Sequence, residues 1–185
     1  VIKLSRTKEI FAKSLQKLSA RKSFEKISLK DILNESHLTK TTFYNHFRDK
    51  YDLAAWIYSN EAEKIMSKID GKNYTWRNTL IDWLKYSFEN KNFLKNLFLN
   101  TSGQDSFINY ISNLNIKIMS DYIKDTQKIK NLPTDIEISV KIYCYGTVCT
   151  LCEMILKDFP IPIDDFIKFS EDALPEPLKK FLYSS

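Results

Sequence analysis

The sequence predicts an all-α fold: a small N-terminal three-helix head followed by a larger helical body, about nine helices together. Three observations point there. Only 3 Gly and 5 Pro interrupt 185 residues, so few turns are marked. Apolar residues recur at helical spacing, and no run alternates as a half-buried strand would. The stretch from Ser28 to Phe47, SLKDILNESHLTKTTFYNHF, carries two helix caps and two short helical patterns around a turn.

The elements follow in order. The first helix opens near Ser5 or Thr7 and runs to about Lys22, with Phe11, Leu15 and Leu18 on one face and Arg6, Lys8, Lys13 and Lys17 beside it. Residues 21–27 form a connector plugged by Phe24 and Ile27. Ser28 and Asp31 fit a capping box, so a second helix starts there, buries Ile32 and Leu33, and ends around 35–37. Leu38 plugs the corner and Thr39 caps a third helix that runs to Phe47, with Phe43 and Phe47 facing inward. Asp49 caps a fourth helix, Lys50 to about Ile69, which Gly71, Lys72 and Asn73 break. Helical patterns continue over about 75–89, 91–101, 104–130, 135–158 and 163–173, and a short terminal turn follows Pro175 and Pro177. The domains read as 1–50 for the head and 51–185 for the body.

Charge separates these parts. Residues 1–60 hold 12 Lys+Arg against 6 Asp+Glu, and residues 61–185 hold 16 against 17. A basic head on a neutral body suits a polyanionic partner. No apolar run is expected to reach the roughly 18–20 residues of a membrane span. The N-terminal segment has no uninterrupted apolar region, so the expected location is the cytoplasm. Cys144, Cys149 and Cys152 lie in one apolar stretch; an odd count and few histidines point to buried thiols rather than disulfides or a metal site.

The second and third helices match helix-turn-helix logic, in which the first braces the second against a duplex. Lys40 can donate to guanine O6/N7 or to phosphate, and Thr41 and Thr42 can offer hydroxyls or touch thymine methyls. Tyr44, Asn45 and His46 sit later, where phosphate contacts are expected. Lys30 and Lys50 each start a helix, and the N-terminal N–H groups there are expected to bind anions. Candidate DNA-contacting residues are therefore Ser28, Lys30, Thr39, Lys40, Thr41, Thr42, Tyr44, Asn45, His46 and Lys50.

The run TKTTFYNHFRDKYDL resembles the signature of TetR-family transcriptional regulators, carried by Thr39, Thr42, Phe43, Tyr44, His46, Phe47, Asp49, Lys50 and Leu53. Upstream, ISLKDILNESHL resembles the same family, with Leu33 in place of a small residue and His37 in place of the turn glycine, where a left-handed conformation is expected. Residues 51–58 and 174–182 are similar to a subgroup related to dihydroxyacetone-kinase regulators. The resemblance implies a sequence-specific regulator of transcription, expected to be a repressor. An enzyme is not expected, since the sequence shows no phosphate loop, no paired carboxylates in a recognisable setting and no HExxH motif, and no cofactor is expected. It implies a homodimer formed by the helices at 135–158 and 163–173, a near-palindromic operator in double-stranded DNA, and a small-molecule effector in the body. Many aromatic residues there (Trp76, Trp83, Phe88, Phe93, Phe98, Phe107, Tyr110, Tyr122) suit a pocket or an ordinary core. Two other readings stay open: a helical adaptor whose basic head binds an acidic protein or membrane surface, and a thiol-based redox-sensing regulator. Operator sequence dependence separates the adaptor from the regulator.

Overall fold

The computed structural model describes residues 2–69, 73–101 and 106–183, with 2–5 as backbone only. Among these are ten α-helices and no strand: α1 (Ile2–Ser19), α2 (Leu29–Ser36), α3 (Lys40–Tyr44), α4 (Lys50–Met66), α5 (Trp76–Glu89), α6 (Lys91–Leu99), α7 (Phe107–Gln127), α8 (Thr134–Leu156), α9 (Ile163–Asp172) and α10 (Glu176–Leu182). A 3-10 turn, Phe24–Lys26, sits between α1 and α2. The short terminal turn expected after Pro177 is a full helix, with a proline in its first turn where no intrahelical N–H is needed.

Several boundaries differ from expectation. α1 opens at Ile2 and stops at Ser19, because Arg21 N and Lys22 N both donate to Leu18 O at 3.0 Å and close the helix early. α3 stops at Tyr44 rather than Phe47, since His46 N and Phe47 N both turn onto Phe43 O at 2.9 Å. α4 ends at Met66, followed by tighter bonds from Lys68 N to Ile65 O and Ile69 N to Met66 O. The break at Gly71 and Lys72 and the helix start near 104 lie outside the described residues.

The chain forms two compact units: Val1–Glu61 with Asn92–Phe107, and Ala62–Lys91 with Ile108–Ser185. The boundary expected after residue 50 therefore moves, because α4 stays with the head to Glu61 and most of α6 joins it.

The first unit is organised by aromatic rings. Phe11, Phe24 and Phe43 are fully buried, as are Leu15, Ile32 and Leu53. Phe11 meets Phe43 edge-on at 5.2 Å, Phe43 and Phe47 stand 5.7 Å apart, and Phe47 lies 5.9 Å from Trp56. Burying each such ring contributes about 1.5–3 kcal/mol. These rings fix α3 against α1 and α4 from its inner face only. Phe98 and Phe107 extend this unit, 6.1 Å apart, with Tyr58 6.0 Å from Phe107.

In the second unit, Trp76, Met119, Ile123, Val140, Tyr143 and Leu178 share one core, and Leu84, Met154, Phe166 and Ile167 a second. Tyr143 donates its buried hydroxyl to Ser170 O at 2.9 Å, tying α8 to α9. Arg77 of α5 pairs with Glu171 of α9, and Tyr183 also donates to Glu171 at 3.1 Å.

The expectation that no apolar segment reaches membrane-spanning length needs correction. α8, at 23 residues, is long and apolar enough by length and composition. Its length is explained by its packing: Ile136, Val140, Tyr143, Cys144, Val148, Cys152 and Ile155 are buried within the unit. Its outer side carries the pairs Lys141–Glu137 and Lys157–Glu153 at 2.6 and 3.2 Å. Burial also pushes the Cys144 thiol up to about 12 and the Cys152 thiol up to about 11, while Cys149 is exposed.

Candidate nucleic-acid interface

α2 begins in a reciprocal cap. Asp31 N donates to Ser28 Oγ at 3.2 Å, and Asp31 Oδ2 accepts from Ser28 N and Ser28 Oγ at 2.7 Å each. Such a cap stabilises a helix start by about 1 kcal/mol. The Lys22 ammonium, 2.7 Å from the same oxygen, and the Ser28 N–H hold the Asp31 carboxyl well below the usual carboxylate range. Lys17 of α1 pairs with Glu35 at the other end of α2. Lys17 thus docks α2 on α1, and Lys22 docks it on the connector.

α2 ends at His37, whose φ of 55° and ψ of 28° are left-handed, as expected for the residue standing where a turn glycine is usual. A non-glycine residue costs about 1–2 kcal/mol there. Leu38 N then donates to Ser36 Oγ at 3.3 Å, and the chain enters α3.

Thr39 caps α3 through its hydroxyl, which accepts from Thr42 N at 3.1 Å and lies 2.8 Å from Thr42 Oγ1. Thr42 is thereby occupied partly with the cap, while Thr41 stands exposed. The inward side is Phe43 and Phe47, both buried. Outward, Lys40, Thr41, Tyr44 and Asn45 are exposed, Tyr44 by 53%. Lys40 Nζ hovers 5.8 Å from the Tyr44 ring centroid. His46 is half-buried, its ring 6.3 Å from Phe47. Ser28 and Lys30 are exposed at the start of α2. A five-residue helix held from one side and polar on the other can be laid in a groove without disturbing its anchors.

Two expectations are corrected by this geometry. Lys50 is half-buried and turns onto the connector: its Nζ donates to Phe24 O at 2.8 Å, Glu25 O at 2.8 Å and Ile27 O at 2.9 Å. An ammonium has three protons, and three carbonyls take them. Its nearest rings are Phe24 and Tyr51, 5.0 and 5.4 Å away, and burial pulls its pKa below the usual lysine range. Nor is the start of α4 an open anion site: Asp49 Oδ1 accepts from Tyr51 N and Asp52 N at 2.8 Å, and Asp52 Oδ2 from Arg48 N at 3.0 Å. The carboxylates already complement the helix dipole there.

Sequence reasoning passed over Arg48. Its side chain is 88% exposed in the loop leaving α3, 3.8 Å from Asp52 through Nε. A cation directly after the recognition segment was the available signal. Of the eight aromatics proposed for a pocket in the body, Phe93, Phe98 and Phe107 belong to the first unit, and Trp76 and Tyr122 pack in or on the second unit's main core.

An all-helical chain whose head holds a short polar helix behind a bracing helix and a tight turn is a helix-turn-helix regulator in class. Residues 16–56 match the family described as bacterial regulatory proteins, tetR family, and residues 74–174 match its companion, described as transcriptional regulator C-terminal region. The second match alone spans more than half of the chain, and the chain belongs to the TetR family of transcriptional regulators. A protein of Lactococcus lactis subsp. lactis (strain IL1403), described as HTH-type dhaKLM operon transcriptional activator DhaS, is 29% identical over 119 residues. That match covers 64% of this chain and 63% of the relative, less than two thirds of the relative's length. A solved structure described as dihydroxyacetone kinase operon activator DhaS shares the fold, with a TM-score of 0.69 at 21% identity over 95% of this chain and 98% of that one. These agree with the subgroup resemblance carried by residues 51–58 and 174–182.

Proposed function

We propose that this protein binds a specific near-palindromic duplex as a homodimer and thereby controls transcription in the cytoplasm. The observation that carries the reading is α3: buried Phe43 and Phe47 anchor it while Lys40, Thr41, Tyr44 and Asn45 face outward. Lys40 and Thr41 are the proposed base readers. Ser28, Lys30, Thr39, Thr42, Tyr44, Asn45, His46 and Arg48 grip or border the backbone. Lys50 supports the head from within and leaves the contact set. The basic excess of residues 1–60 supports the electrostatic part of binding.

Dimerisation is supported by the outer face of α8. Ile138, Ile142, Tyr145 and Cys149 recur there at helical spacing and are exposed, Ile142 by 66%. Gly146 lies beside them with nothing within 4 Å of where a Cβ would stand. A mid-helix glycine costs about 1 kcal/mol relative to alanine, and no neighbour among the described residues requires it, whereas close approach of a second helix would. Phe169 of α9 is also exposed. Two α3 helices of a dimer would need to stand about 34–36 Å apart to reach successive major grooves, which is why a near-palindromic site is proposed. Family membership supports an effector acting through the second unit.

The sign of control has two readings. The family resemblance implies repression, whereas the Lactococcus relative is described as an activator, which favours activation. Selection from random duplexes tests the central reading: an enriched inverted repeat is expected, and no enriched motif would sink it. A reporter carrying the recovered sequence, compared with and without the protein, then gives the sign.

A further inference from the structure

The connector between α1 and α2 is held from two sides by side chains distant in sequence. On one side stand the three carbonyl bonds of Lys50. On the other stands Asn96 of α6. Its Oδ1 accepts from Phe24 N at 2.7 Å, and its Nδ2 donates to Ser19 O at 2.9 Å and Lys22 O at 2.8 Å. Asn100, one turn on, donates to the same Oδ1 at 2.8 Å and accepts from Ser23 Oγ at 2.7 Å. The Asn96 carboxamide therefore uses both of its N–H groups and both oxygen lone pairs. Every bond is part-buried, and the partners lie 72 to 77 residues earlier in the chain.

This arrangement does more than satisfy polar groups. Ser19 O is the last carbonyl of α1 and Phe24 N opens the 3-10 turn, so one planar amide spans the stretch from the stop of α1 to the middle of the connector. Ser28, four residues past Phe24, is the cap of α2, and α2 braces α3. An amide of fixed shape that bonds the end of α1 and the middle of the connector, with Lys50 bonding Phe24 O, Glu25 O and Ile27 O toward α2, restrains the angle between the helices the connector joins. Base readout tolerates little error in that angle, because a bidentate contact to a base edge needs hydrogen-bond geometry at both atoms. Phosphate contacts made by long basic side chains tolerate more.

We infer that Asn96 is a positioning residue for sequence-specific DNA recognition: through the connector it sets the pose of α2 and α3 without touching DNA. The inference rests on the proposed reading of bases by α3. It predicts a particular split. Loss of the clasp lowers affinity for the correct duplex and leaves electrostatic affinity for any duplex nearly intact.

The test is Asn96→Asp in the full chain. The carboxylate keeps the size and the two accepted bonds, but it cannot donate to Ser19 O or Lys22 O. Dissociation constants are measured for the selected duplex and for a scrambled duplex of equal length, at one salt concentration. The expected result is a fall of about tenfold or more in the ratio of the two affinities, with scrambled-duplex binding within about twofold of wild type. An unchanged ratio overturns the inference, whether both affinities fall together with the melting temperature or neither moves. Should Asn96→Asp not be recovered folded, Ser23→Ala decides; it deletes only the hydroxyl bonded to Asn100. A fall of about threefold in the ratio is then expected, and no fall overturns the inference. Failure of the underlying reading looks different, because wild type itself would then show no preference between the duplexes.

Discussion

Replacing Lys50 with methionine separates a gripping lysine from a supporting one. The methionine keeps the stem length and apolar contact with Phe24 and Tyr51 but removes the ammonium that bonds three carbonyls. Two of those carbonyls, Phe24 O and Ile27 O, sit in part-buried bonds, and the bond to Glu25 O is exposed and contributes little. A charge-assisted bond contributes about 1.5–3 kcal/mol, and burial of the lysine offsets part of that, so a net loss of about 3 kcal/mol follows. For a chain of this size that lowers the melting temperature by about 6–12 °C. The salt dependence of DNA binding supplies the second readout. A lysine on a phosphate contributes about 0.9 to the slope of log K against log salt, and a lysine bonded to carbonyls contributes none. Lys50→Met is therefore expected to melt early with its salt slope unchanged. An unchanged melting temperature with a slope reduced by about one unit would refute the supporting role and return Lys50 to the backbone contacts.

Lys40→Ala is expected to relax base preference by about 1–3 kcal/mol at one operator position, and Tyr44→Ala to weaken all duplexes alike; equal loss on every sequence for Lys40→Ala would remove it from base reading. His37→Gly relieves a left-handed residue at φ 55° and is expected to raise stability by about 1 kcal/mol, read by urea unfolding; a loss of stability would show that the imidazole itself contributes. Gly146→Arg puts a large charge where a partner helix is proposed and is expected to yield folded monomers by sedimentation, with dimers persisting if α8 is not the interface. In wild type, none of the thiols is expected to react quickly at pH 8: Cys144 and Cys152 remain protonated through burial, and a partner copy on the proposed α8 interface would cover Cys149. Gly146→Arg should release Cys149 alone, whereas rapid labelling of the native dimer with altered DNA affinity would favour redox sensing.

What was legible in the sequence was local. Ser28 with Asp31, Thr39, and Asp49 with Asp52 stand two to four residues from the N–H groups they cap, so spacing alone reveals them. Phe43 and Phe47 declare a buried face by being one turn apart, and His37 declares its conformation by standing in the turn between two such patterns. The misplaced features depend on distant partners. Lys50 opens a helix in a basic segment, which by itself reads as a surface cation; its partners lie 23 to 26 residues earlier. Asn96 sits in NFLKNLFLN, where an asparagine between apolar pairs reads as a solvated position. The end of α3 was missed because Phe43 O accepts from two successive N–H groups, a choice between competing bonds that residue types do not dictate. The unit boundary moved for the same reason as Asn96: α6 belongs with the head by contacts rather than by order in the chain.

The most direct test of the two-headed, base-reading account changes operator spacing. Inserting about five base pairs at the centre of the selected inverted repeat rotates one half-site by half a helical turn and leaves both half-sites intact. A dimer with α3 in successive major grooves is expected to lose about 100-fold or more in affinity, since only one head can then engage. Affinity that is unchanged by the insertion would contradict the account.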